Sequence, residues 1–167
     1  MKPMLKNIII SLIFAVLGMI GLVFNLKGNE DWILYWGDVL MAYISLFFLI
    51  HLYCKNAYDS TFSKVLTKIT VISFNVAVLG ILIGIIYELL GKWEFKTMML
   101  YWLLILFLFL TTIISLVILV FVNRHDLNYT RLYRTIILLN IFLTLGPVLL
   151  PVFLTILGNG MNASAGW

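Results

Sequence analysis

Between Met98 and Val122 the chain reads MMLYWLLILFLFLTTIISLVILVFV, a run with no charged residue and no His, Asn or Gln. Its aliphatic hydroxyls are Thr111, Thr112 and Ser115. A helix of ~20 apolar residues spans the ~30 Å hydrocarbon core of a bilayer, so this stretch is long enough to cross. Its lack of polar groups predicts that it faces lipid. Four further runs lie on either side of it, at Ile8–Phe24, Ile33–Tyr53, Ile69–Leu90 and Thr135–Leu157. None shows the alternating ~10-residue pattern of a membrane β-strand, and the remaining way to satisfy backbone groups in lipid is a helix. The predicted fold is all-α, a single polytopic integral membrane helix bundle with about five transmembrane helices across residues 1–167.

Composition agrees. Of 167 residues, 63% are hydrophobic and 11% charged, leaving more apolar surface than a domain of this length buries from water. The net charge of +4 comes from Lys and Arg scattered among short connectors rather than gathered on a polar face, which argues against a nucleic-acid partner. One cysteine and two histidines are too few for a closed zinc site within one chain, and neither metal nor cofactor is expected. The first run lacks an A-x-A-like site and reads as an uncleaved span.

Orientation follows from the connectors. Lys2, Lys6, Lys55, Lys64, Lys68, Arg124, Arg131 and Arg134 fall on one side, and Lys27, Lys92 and Lys96 on the other, which predicts a cytoplasmic N-terminus and an external C-terminus. Trp32, Trp36, Trp93, Trp102 and Trp167 all fall at the predicted outer interface, where an amphipathic indole is well accommodated. Asp59 or Ser60 could cap an early start of the third helix, and Asp126 of the fifth.

The residues that interrupt the apolar runs are the candidates for function. Ser73, Ala77, Gly80, Gly84 and Glu88 lie in one stripe of the third span, and Gly80-Ile81-Leu82-Ile83-Gly84 is a GxxxG that admits another helix backbone, from this chain or from a second copy. Asn140, Thr144, Pro147, Pro151 and Thr155 share a face of the fifth span, and the two prolines predict a kink with freed carbonyls, as in the broken helices of transporters. Asp38, on a face with Ala42 and Ser45, and Glu88 are the acids within the runs. Both are candidates for an ion or proton site or for ion pairs with Lys27, Lys92 or Lys96. Asn75 and Asn140, at similar predicted depth, are expected to hydrogen-bond to each other. His51 and Cys54 share a face near the inner end of the second span and read as an interfacial histidine and an inert or acylated thiol.

No G-x-S-x-G or H-E-x-x-H occurs, so an enzyme is the weakest expectation. The sequence supports a non-enzymatic membrane subunit, acting in a homo-oligomer or with other protein subunits. Besides membrane lipid, a cytoplasmic partner or anionic lipid could meet the basic connectors, through Lys55, Lys64, Lys68, Arg124, Arg131 and Arg134. Two alternatives stand beside it: a small ion or proton channel or transporter component using Asp38, Glu88 and the Pro147/Pro151 kink, and a bacterial immunity or phage-defence membrane protein, which is an analogy of architecture. The expected location is a bacterial inner or plasma membrane.

Overall fold

In a computed structural model of the protein, the described residues are 3–27, 32–55, 60–90, 94–122 and 131–165. They form five helices: α1 (Pro3–Leu26), α2 (Trp32–Lys55), α3 (Thr61–Leu90), α4 (Phe95–Val122) and α5 (Arg131–Ala165). All five are long and apolar enough to cross a membrane. Helix α3 starts well ahead of its apolar run. The Lys64 amide donates to the Ser60 carbonyl (3.1 Å) and closes its first turn just past Ser60. Helix α5 likewise begins before Thr135, though Asp126 lies outside the described residues. Pro3 occupies the first position of α1, where its missing N–H costs nothing.

The helices run up and down. Ser11 meets Ser45 and Asn25 meets Asp38, so α1 and α2 are antiparallel. Ser73 meets Thr112 and Gly80 lies against Ile105, so α3 and α4 are antiparallel too. Helix α5 runs parallel to α1, with Asn140 beside Ser11 and Pro147 beside Gly18. Helices α2, α3, α4 and α5 enclose the main core, and α1 packs against α2 and α5.

Side-chain size explains these neighbours better than polarity does. The buried stripe of α1 is Ile8, Ser11, Ala15, Gly18, Leu22 and Asn25, spaced alternately by three and four residues, the repeat of a left-handed helix seam. Helix α3 repeats it with Leu66, Thr70, Ser73, Ala77, Gly80 and Gly84. These small residues bring α1 onto α2 and α3 onto α4 closely. Across the wider gap between α2 and α4 the space is filled by rings. Trp36 stacks on Trp102 at 4.7 Å, and one heptad along each helix Tyr43 meets Phe109 at 5.7 Å.

One expectation is corrected here. Helix α4 is not the lipid-facing span: half of its candidate window is buried, against 56% for α2 and 28% for α1. Its large residues Trp102, Phe109 and Leu116 are fully buried, because where lipid is as apolar as leucine, packing of shapes rather than polarity decides which helix is central. Trp36 and Trp102 lie near the starts of α2 and α4 but are buried inside the bundle, stacked on each other rather than exposed on its surface. Trp32, by its side chain, and Trp93 and Trp167 entirely lie outside the described residues.

Candidate functional site

The polar side chains of α1, α2 and α5 converge in two places. Near the start of α1, Ser11, Ser45 and Asn140 are fully buried and close a ring. The Ser11 hydroxyl donates to the Ser45 carbonyl (2.8 Å), the Ser45 hydroxyl to Asn140 Oδ1 (3.1 Å), and Asn140 Nδ2 to Ser11 Oγ (2.6 Å). Each of these three hydrogens is used once, so the assignment is self-consistent. Asn140 is thereby tied to two serines on two other helices, not to Asn75 as the depth argument expects. Asn75 points away from the bundle, since the helical stripe of α3 that packs inward passes through Ser73 and Ala77.

Toward the other end of α1, Asp38 is buried against Gly21 and accepts a hydrogen bond from Asn25 Nδ2 at 2.6 Å. Glycine makes the site. A methyl group at position 21 would coincide with Asp38 Oδ1, and one at Gly18 would come within 3.2 Å of the Asp38 carbonyl and 3.5 Å of the Pro147 ring. Among the described residues the partner of the Asp38 side chain is this amide and not Lys27. The Glu88 side chain and Lys92 lie outside the described residues.

The other small-residue stripe is filled from within the chain. Ile105 sits over Gly80; Trp102 and Tyr101 sit over Gly84, where an added Cβ would meet them at 2.7 and 3.0 Å. The Tyr101 hydroxyl donates to the Gly80 carbonyl (2.5 Å), which the missing side chain leaves open. Ser73 and Thr112 join α3 to α4 at 2.9 Å. Ala77 is buried on the same stripe. Several hydroxyls, Thr70, Thr111 and Thr144 among them, return to carbonyls three or four residues back, which satisfies them without a partner helix.

Pro147 and Pro151 are both buried, and α5 remains helical through them. Asn140, Thr144, Pro147 and Pro151 do share the inward face; the Thr155 side chain lies outside the described residues. Proline removes the donors that the carbonyls of Leu143 and Pro147 would receive in a regular helix. Outside this seam, Val16, Met19, Ile20, Val23, Phe24 and Leu143 line an open apolar groove of about 330 Å³ between α1 and α5.

His51 and Cys54 are both exposed at one end of α2, and His51 stacks on Phe47. No group of three or more His, Cys, Asp or Glu among the described residues is placed to hold a metal ion. Lys64 and Lys68 are exposed and Arg134 is half-buried. Arg124 and the side chains of Lys55 and Arg131 lie outside the described residues. Sequence reasoning missed Ser11, Gly18, Gly21 and Asn25, all of α1. The signal was present in the three-and-four spacing of Ser11, Ala15, Gly18, Leu22 and Asn25 along an otherwise aliphatic helix.

Comparison with curated proteins and with solved structures gives no match. A family model matches residues 2–166, nearly the whole chain, and the protein therefore belongs to the family described as "Protein of unknown function (DUF3902)".

Proposed function

We propose that the protein is a non-enzymatic integral membrane subunit that acts in an oligomer or a membrane complex, through its outward helix faces and its basic connectors. The observation that carries this reading is the distribution of polar groups. The buried Ser11, Ser45, Asn140, Asp38, Asn25, Ser73 and Thr112 are engaged with one another between helices of this chain, as structural hydrogen bonds. Lys6, Lys64, Lys68 and Arg134 meanwhile gather where the odd-numbered helices begin. Under the positive-inside rule that end is cytoplasmic, in a bacterial inner or plasma membrane, and its cations would meet anionic lipid or a soluble partner.

Native mass spectrometry of the gently extracted complex tests the proposal. Masses of a defined oligomer or of stoichiometric partner chains are expected. A bare monomer from membranes known to contain it at native level would overturn the subunit reading. Loss of a soluble partner on replacing Lys64 and Lys68 by Gln would assign that contact to the basic end.

A second reading, a small proton or cation channel or carrier, is favoured by one observation: a buried carboxyl, Asp38, whose partner among the described residues is a neutral amide. Flux in proteoliposomes that is lost in Asp38→Asn would support it. Absence of flux from the wild-type protein across a pH or cation gradient would remove it.

A further inference from the structure

We infer that the outward face of α3 is the contact surface for a second copy of this chain, with Asn75 of each copy hydrogen-bonded to Asn75 of the other. The inference rests on the reading of the protein as a membrane subunit and names the face by which it self-associates.

Helix α3 carries two seams. One, through Ser73, Ala77, Gly80 and Gly84, is occupied by α4. The other lies on the opposite side of the helix and consists of Ile72, Asn75, Leu79, Leu82 and Ile86, again alternating by three and four residues. All five are exposed, Ile72 at 63% and Leu79 at 60%. Four are aliphatic. The fifth, Asn75, lies about 10 Å along the helix from Lys68, inside the apolar run Ile69–Leu90, where lipid supplies neither donor nor acceptor. Surface hydroxyls on these helices, such as Thr111, return to their own backbone; Asn75 makes no such bond. An amide left bare in hydrocarbon is costly, whereas one polar side chain within an aliphatic seam fixes the register of a helix pair.

A second copy brings a matching amide to the depth of Asn75, and the exposed Lys68, which continues the seam toward the helix start, is long enough to turn its ammonium out of the pair toward the headgroups. Two copies inserted in the same orientation pair their α3 helices in parallel about an axis normal to the membrane, so identical residues meet at identical depth. A carboxamide is self-complementary, each group donating its N–H to the other's oxygen. An unrelated helix would need its own polar group at that depth. The GxxxG, whose surface is covered by Ile105, Tyr101 and Trp102, is not free for this role.

The test uses the full chain in native membranes, with Cys54→Ser removing the single native thiol. Cysteine at Ile72 or Leu79 is expected to form an intermolecular disulfide under mild oxidation, while cysteine at Leu17, on the outward face of α1, is not. Energy transfer between labelled copies in bilayers is expected to fall in Asn75→Val, with association about threefold to thirtyfold weaker, and to be retained in Asn75→Gln. Because Asn75 is outside the packed core, Asn75→Val should leave the unfolding midpoint of the single chain unchanged, so lost association is separable from lost folding. Energy transfer that persists unchanged in Asn75→Val, or with no crosslink at Ile72 and Leu79, overturns the inference and leaves an oligomer joined by another face. Absence of wild-type energy transfer at native density overturns it as well; a partner of different mass in native mass spectrometry would then preserve the subunit reading.

Discussion

At the scale of single residues, the two polar contacts of α1 differ in what they demand. In the Ser11–Ser45–Asn140 ring each serine has an alternative, because its hydroxyl can turn to a carbonyl of its own helix. Removing the amide by Asn140→Leu therefore costs the difference between interhelical and local hydrogen bonds, about 0.6 to 2 kcal/mol, read as a lower unfolding free energy in detergent or bilayers. The Asp38 site is sterically stricter. Gly21→Ala places a methyl where the carboxyl oxygen lies and forces Asp38 off Asn25, at about 1 to 3 kcal/mol. In an Asp38→Ala background the same glycine substitution should cost markedly less, and a double-mutant cycle showing simple additivity would mean that the two residues do not contend for the space.

At the scale of helices, α3 and α4 form a pair whose closeness depends on glycine. Gly84→Leu would drive a side chain into the Trp102 and Tyr101 rings, so the expected result is a destabilised single chain rather than a changed oligomer. Unfolding followed alongside energy transfer separates the two. Helix α4 supplies the other half of this contact and much of the core. Phe109→Ala, at a fully buried ring between Tyr43 and its neighbours, is expected to cost about 3 kcal/mol, whereas Leu103→Ala on the outward side of the same helix should change unfolding little. Equal effects at both positions would reverse the assignment of α4 as a core helix.

At the scale of the molecule, up-and-down packing sets the beginnings of α1, α3 and α5 at one end and those of α2 and α4 at the other. Cysteine labelling with a membrane-impermeant reagent, in a Cys54→Ser background, reads the two ends. Lys27→Cys and Lys96→Cys should react in intact cells, and Lys64→Cys only after the membrane is opened. The reverse pattern would invert the proposed orientation. With Trp36 and Trp102 stacked inside the bundle, the asymmetry of Lys and Arg becomes the principal support for that orientation.

The number and type of the elements were legible without coordinates, since a run such as Met98–Val122 has one regular way to satisfy its backbone in lipid, and five such runs became five helices. Helix faces were legible too: Asn140, Thr144, Pro147 and Pro151 align because helical periodicity is a property of the chain itself. Which faces meet was not. Asn140 could have reached Asn75 at similar depth; it lies against Ser11 and Ser45 because the small residues of α1 let that helix close on α2 and α5. The placement of α4 in the core and of Trp36 on Trp102 likewise depends on how volumes fit between helices. That fit is a relation among distant parts of the chain, so tertiary structure decided it where hydropathy, which measures each residue against solvent, carried no information.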